Sequence, residues 1–244
     1  MRKSSPAAAL KPDELLARLL YRDGLMLIVD KPAGLPVHAG PGGGPNLEQY
    51  LDVLRFGLPK LPALAHRLDR DTSGCLILGR HAKALRKLGK LFQEGRIDKT
   101  YWAVCEGRPP AGEGRIDLPL RKFNQKAGWR VLADPTGEGP ESQSAVTDYR
   151  LLGTSDGLSW IECHPHTGRT HQIRVHLQSI GCPILGDPVY GRAGGDAGAS
   201  LHLHSRAIGV PLYPKREPIL AVAPPPAHMR AALQACGYSE AGGT

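Results

Sequence analysis

Three observations predict an α+β fold: runs of strand length recur along most of the chain, only a few segments carry helical periodicity, and no internal repeat or coiled coil is present. At 244 residues the chain is long enough for one large domain, or two small ones, with a proper core. Hydrophobic residues at 41% and charged residues at 22% place it with soluble globular proteins. No apolar run approaches the ~20 residues that a bilayer-spanning helix needs. The N-terminus starts basic, but Lys11-Pro12-Asp13-Glu14 cuts its apolar stretch short, so it reads as a short extension rather than a secretory signal. Lysine and arginine number 31 against 23 acidic residues, and the net charge of +8 favours a polyanionic partner, nucleic acid or an acidic membrane surface. Five widely spaced cysteines with no C-x-x-C pair argue against a disulfide framework or a cysteine-rich zinc site, and suit a reducing cytoplasm.

Taken in order, residues 13–22 read as a short helix with Pro12 and Asp13 at its start. Asp23-Gly24 turns the chain into Leu25–Asp30, a nearly continuous apolar run of strand length. Residues 31–38, Lys-Pro-Ala-Gly-Leu-Pro-Val-His, make a rigid exit from that strand. The glycine-rich stretch 39–45 lacks the Gly-Lys-Ser/Thr ending of a phosphate cradle and reads as a surface loop. Asn46 is placed to cap a helix over 47–56, in which Leu47, Tyr50, Leu51 and Leu54 share one face. Cys75–Gly79 is a short apolar strand. Residues 81–93 form a helix with a stripe of Ala84, Leu85, Leu88, Leu91 and Phe92 opposite Lys83, Arg86, Lys87 and Lys90. A basic helix face is by default a solvated face, and in a basic protein it also suits phosphate contacts.

Residues 97–107 alternate like a half-buried strand, so Tyr101 reads first as core packing with its hydroxyl satisfied. Residues 107–145 are rich in glycine, proline and charge, with 116–120 and 129–132 as short strand candidates. Within them, Arg121–Lys126 interleaves basic residues with Phe123, a pattern suggestive of RNA contact. Alternating strands over 145–152 and 158–163 are joined by a turn at 153–157. A helix starts at His171 and continues to Ile180, where Gly181 stops it. Residues 192–200 are a small-residue loop, and the tail from Pro224 carries a short helix over 227–235 before a frayed end.

Charge concentrates in His66-Arg67-Leu68-Asp69-Arg70-Asp71-Thr72-Ser73-Gly74, between a proline-bounded loop and the 75–79 strand. Thr72-Ser73-Gly74 suits a tight turn where backbone approaches a ligand. A carboxylate flanked by Arg67 and Arg70 stays ionised and is placed to act as nucleophile or base. A salt-bridge cluster on a surface loop would use the same residue types, and local chemistry does not choose between Asp69 and Asp71. The second dense stretch, His164–Leu177, holds four histidines with Arg169 and Arg174. It has no H-E-x-x-H pattern, and the nearby Cys163 has no partner at zinc spacing, so no metal is expected there.

The nine residues His66–Gly74 resemble the signature of the RluA-type pseudouridine synthases, which convert specific uridines in RNA to pseudouridine. Further resemblances follow in the family's order: Lys99-Thr100-Tyr101-x-Ala103, Thr167-Gly168-Arg169-x-His171-Gln172-Ile173-Arg174-x-His176, Gly186-Asp187-x-x-Tyr190-Gly191, and Leu201–Ser205, with Ser205 where alanine is commoner. The likeness runs from about Leu25 to Leu212 and is to short members of the family, without the small N-terminal RNA-binding domain of larger relatives. It implies that Asp69 is the catalytic aspartate, that Arg67 enters the RNA stack as the target base leaves, that Tyr101 is the active-site tyrosine, and that Arg174 pairs with Asp69. His66, Arg70, Thr72, Arg169 and His171 are implied as further RNA-binding or base-flipping residues.

The implied architecture is a catalytic domain over 23–223, after an N-terminal extension and short helix (1–22) and before a C-terminal tail (224–244). Its core is a central, largely antiparallel mixed sheet, flanked by helices and loops around one cleft. The isomerisation requires no cofactor. The implied partner is a structured stem-loop of ribosomal or transfer RNA, met in the cytoplasm by a monomer with no membrane attachment. Two other readings use the same residues. A non-catalytic RNA-binding or ribosome-assembly protein on this fold fits the charge equally, although the intact Asp69, Tyr101 and Arg174 set favours catalysis. A metal-dependent hydrolase built on the histidine block would reveal itself by metal content.

Overall fold

Strands and helices follow the apolar runs. In chain order they are α1 (Pro12–Leu16), β1 (Leu19–Arg22), β2 (Met26–Lys31), a 3₁₀ helix (Leu47–Leu54), β3 (Ala63–Leu64), β4 (Ser73–Gly79), α2 (Ala82–Gln93), β5 (Asp98–Glu106), β6 (Glu113–Asp117), β7 (Leu120–Gln125), β8 (Gly128–Ala133), β9 (Val146–Ser155), β10 (Leu158–Pro165), α3 (Gln172–Ser179), β11 (Leu203–Val210), β12 (Ile219–Val222) and α4 (Ala227–Ala235). This computed structural model describes residues 10–40, 43–125, 128–139, 141–192 and 200–240. The expected extension at 1–9, most of the 192–200 loop, the end at 241–244, residues 41–42 of the glycine-rich stretch and Lys126 lie outside the described residues. The rest falls into two compact units interleaved in sequence, one of residues 10–99 with 204–225, the other of 100–203 with 226–240.

In the first unit β2 lies between β1 and β4, antiparallel to both. β3 also pairs antiparallel with β4, and β12 with β11. β11 runs parallel to β4 through His204↔Ser73 and Ser205↔Gly74. Met26, Ile28, Cys75 and Ile77 pack on Leu88 and Leu91 of α2, while Leu27, Val29, Leu76 and Leu78 are equally buried. Burial of both faces explains why these strands read as continuous apolar runs instead of alternating ones. Helix α2 starts where the His81 ring accepts a hydrogen bond from the Ala84 amide, and its stripe is the expected one.

Two expectations fail here. The helix over 13–22 stops at Leu16, because Leu19–Arg22 pairs with β2 through Leu19↔Val29, Tyr21↔Ile28 and Arg22↔Leu27. A strand with an open edge claims those backbone groups more strongly than a short helix can. The 47–56 helix is a 3₁₀ helix ending at Leu54, with Leu47, Leu51 and Leu54 buried as expected. Asn46 does not cap it; it is buried and its amide donates to the Gly44 carbonyl at 3.2 Å.

Gly74 lies in the parallel contact, opposite Ser205, at φ +102, and a Cβ there would overlap the Ser205 carbonyl oxygen. Gly74→Ala is therefore expected to cost about 3 kcal/mol, read as a lower denaturation midpoint at unchanged slope. A loss below about 1 kcal/mol would mean that the two strands separate without penalty.

In the second unit β10 lies between β5 and β9, antiparallel to both, and β6 extends the sheet from β9. Ala103, Cys105, Ile161 and Cys163 face Ile173 and Leu177 of α3. Trp102 and Val104 face Met229 and Leu233 of α4. The turn expected over 153–157 is tighter: both strands run on, and only Asp156-Gly157, at φ 45 and 78, closes a two-residue hairpin. The single strand expected over 116–120 is instead the ends of two, separated by Leu118-Pro119, since Pro119 has no N–H for a ladder. β7 and β8 pair with each other as a separate two-stranded ribbon, which Leu120 ties to Gln143 through an antiparallel bridge. All five cysteines are reduced and buried. No helix among the described residues is long and apolar enough to cross a membrane.

Candidate active site

The 66–74 loop is anchored at both ends and presents its middle. His66 Nε2 accepts from the Ile77 amide at 2.9 Å, so the neutral ring carries its proton on Nδ1. Burial, with the Lys99 charge adding to it, drives the His66 pKa down to about 3. The ring also lies 4.8 Å from that of Phe92. Leu68 is buried, and beyond it the Thr72 amide donates to the Asp69 carbonyl at 3.2 Å, closing a turn over 69–72. Thr72 and Ser73 are buried too, so the side chain of Thr72 shapes this turn from inside.

His204 Nε2 donates to the Ala223 carbonyl at 3.2 Å, which leaves Nδ1 of the neutral ring to accept from the Ser73 hydroxyl at 2.9 Å. Between the anchors, Arg67 and Arg70 are exposed and Asp69 is half-buried. Arg70 Nε donates to Asp71 at 3.0 Å.

One residue that the sequence reading gave no role holds this loop from below. Lys31 ends β2 fully buried, and its Nζ donates to the carbonyls of Pro32 (2.8 Å), Leu35 (2.8 Å) and Arg70 (2.9 Å). Three acceptors match the three ammonium protons. Burial pushes the Lys31 pKa down to about 7, against the pull of Asp71, Asp69 and Asp30. The lysine therefore ties the β2 exit to the backbone of the residue after Asp69.

In the second unit Tyr101 sits half-buried near the start of β5, opposite Cys163 of β10. Arg174 lies in the first turn of α3 and is buried. Its Nε and Nη2 donate to Asp187 at 2.7 and 2.8 Å, a fork-on-fork pair. Asp187 Oδ1 also accepts the amides of Val189 and Tyr190 at 2.8 and 3.0 Å. Burial raises the Asp187 carboxyl, but the Arg174 bonds and charge and those two amides outweigh it and hold it below its usual range. The Tyr190 ring centroid is 5.0 Å from the Arg174 guanidinium.

The turn before α3 is fixed by Gln172. Its Oε1 accepts from Thr167 Oγ1 and the Arg169 amide, and its Nε2 donates to the Val146 carbonyl and Thr147 Oγ1. Arg169 is exposed, with Nε donating to the Ser144 carbonyl at 3.0 Å. His171 precedes the helix at φ 56, rather than starting it, and its Nδ1 lies 2.9 Å from the Tyr190 hydroxyl. The four histidines have separate partners: Glu162 for His164, Asp148 for His166, Tyr190 for His171 and Thr147 for His176.

Comparison with known proteins connects these parts. The family model for RNA pseudouridylate synthase matches residues 25–179, a span that holds the 66–74 loop, Tyr101 and Arg174. An uncharacterized RNA pseudouridine synthase of Zymomonas mobilis is 44% identical over 214 residues, covering 87% of this chain and 95% of that protein. Ribosomal large subunit pseudouridine synthase D of the same organism is 34% identical over 193 residues, covering 75% of this chain and 58% of its own. The structure of human RNA pseudouridylate synthase domain containing 4 superposes with a TM-score of 0.76 at 26% identity, covering 92% of this chain and 95% of that one. Matched across most of its length by proteins of one activity and one fold, the chain belongs to the RluA-type RNA pseudouridine synthases, isomerases that act on uridine in RNA.

Proposed function

We propose that the chain isomerises a specific uridine in a structured stem-loop of ribosomal or transfer RNA, as a cytoplasmic monomer whose residues 23–223 act as the catalytic domain. The construction of the 66–74 loop carries this reading: a half-buried carboxylate between two exposed arginines, on a turn anchored at both ends. The net charge of +8 suits an RNA ligand, and a relative named for the ribosomal large subunit makes ribosomal RNA a natural target.

The target base must first leave its stack, at a cost of a few kcal/mol. Arg67 fills the vacated place, where a planar guanidinium can both stack and hydrogen-bond. Asp69 then adds to C1′, or takes a ribose proton to give a glycal, and the N1–C1′ bond breaks with its electrons left on the uracil. The uracil turns and C5 bonds to C1′ as the Asp69 carboxylate leaves, or as C2′ of the glycal regains its proton; Tyr101 removes the C5 proton, and N1 finishes protonated. Arg174, presented by Asp187, pairs with Asp69. His66 and Thr72 shape the loop on which Arg70 meets the RNA, and Arg169 and His171 contact the strand. No atom or electron is gained, so the chemistry calls for no cofactor.

Pseudouridine mapping of total RNA, in cells with and without this gene, tests the proposal. A site lost on deletion and restored by the wild-type gene identifies the target. An unchanged map in both ribosomal and transfer RNA would refute the proposed substrate.

A further inference from the structure

The β7–β8 ribbon carries a second arrangement that the reaction does not use. It grows from a small core in which Leu120 and Val131 pack with Ala145, Val175 and Tyr190, and the Val131 amide donates to the Tyr190 hydroxyl at 3.0 Å. Directly paired residues share a face. Asn124↔Trp129 and Lys122↔Val131 therefore put Lys122, Asn124 and Trp129 on the face that Leu120 and Val131 root in the core.

Trp102 and Trp160 pack edge to face against each other, while Trp129 is 48% exposed. Its ring is stacked on His171, with centroids 5.3 Å apart and planes inclined by 24°. The His171 ring is fixed in turn by a hydrogen bond between its Nδ1 and the Tyr190 hydroxyl, which also accepts from the Val131 amide. Lys122 Nζ lies 5.1 Å from the Trp129 centroid.

A single exposed aromatic is ordinary. This one differs in three respects: it is backed by a second ring, its orientation is set by a rooted strand, and the Lys122 ammonium lies over the ring on a flexible stem that can swing to a phosphate. Those are the parts of a nucleotide-stacking platform, in which the ring takes a base and the ammonium its phosphate. A base inside a duplex has both faces covered by its stacked neighbours, so an unpaired loop base is the fitting occupant.

We propose that Trp129, backed by His171 and flanked by Lys122, stacks an unpaired nucleotide of the RNA substrate, distinct from the uridine that reacts. The proposal rests on the reading of this chain as an RNA-modifying enzyme and adds where on the ribbon a loop nucleotide is held.

The test is binding of two fluorescein-labelled RNAs, a hairpin with a seven-nucleotide loop and a blunt duplex of the same stem, to the full-length protein and its variants. Trp129→Leu keeps apolar bulk without a ring and is expected to weaken hairpin binding about tenfold while barely changing duplex binding. Trp129→Phe keeps a stacking face and stays within about threefold of wild type for the hairpin. Lys122→Met lowers the salt slope of binding by about one. Unchanged hairpin affinity in Trp129→Leu, or equal weakening on both RNAs, overturns the platform and leaves the enzyme reading standing. Wild-type protein that binds neither RNA removes both.

Discussion

Asp69→Asn is expected to abolish pseudouridine formation, by at least about 10³-fold, while RNA affinity stays within a few-fold of wild type. The substitution keeps shape and volume. It leaves the Thr72 bond to the residue 69 carbonyl untouched, because that acceptor is main chain. What goes is the anionic oxygen: an amide neither adds to C1′ nor takes a ribose proton. Both measurements matter, on the same protein preparation. Lost turnover with retained binding is the signature of a chemical role. Loss of both together would mean that the carboxylate only holds the loop, and full activity would move the chemistry elsewhere, with Asp71 the next candidate.

Lys31→Met is expected to cost about 2–4 kcal/mol of stability and to lower turnover as well, although Lys31 is assigned no contact with the reacting base. Methionine fills most of the volume but leaves three buried carbonyls, those of Pro32, Leu35 and Arg70, without their donor. The Arg70 carbonyl is the telling one, since it follows Asp69 directly. Chemical denaturation of wild type and variant measures the first effect, and turnover under conditions where both are folded measures the second.

The pH dependence carries a sign. The folded-state pKa, about 7, lies below the ordinary 10.5, so between those values the unfolded chain holds more protons on this residue. Wild-type stability should therefore rise relative to Lys31→Met as the pH climbs through that window. A flat difference across it would mean that Lys31 titrates as an exposed lysine does.

The strands and helices that the sequence announced most clearly are those whose local pattern and tertiary role agree. Helix α4 starts and ends where its pattern does, and α2 buries its expected stripe. Leu19–Arg22 misled because Leu-Leu-Tyr-Arg suits either a helix or a strand, and only the open edge of β2 decides. β7 was hidden by its charge: Arg121, Lys122, Phe123 and Asn124 are all exposed, so the ribbon is wet on both faces there and apolar alternation has nothing to report.

The 66–74 loop drew attention because its charges fall within one short run of sequence, although that run alone does not tell Asp69 from Asp71. Its supports were not legible. Lys31 lies 39 residues from Arg70 in sequence, and Asp187 lies 13 from Arg174, so neither partnership leaves a spacing to read. The Gly-Asp-x-x-Tyr-Gly segment drew attention by resemblance and residues 31–38 as a rigid strand exit, while the hydrogen bonds that give them a purpose appear only in three dimensions.

The parallel contact of β4 with β11 has a consequence for when the enzyme comes into being. Ser73 and Gly74, which close the far end of the loop, meet His204 and Ser205, and the Ser73–His204 bond spans 131 residues of chain. On the ribosome the two halves of that contact emerge at different times. At roughly 5–20 residues per second, the Asp69 loop waits on the order of ten seconds for its partner strand. Throughout that interval the chain is surrounded by RNA while the loop lacks one of its two anchors. The order of synthesis thus acts as a delay, and the loop is finished only after β11 has been made.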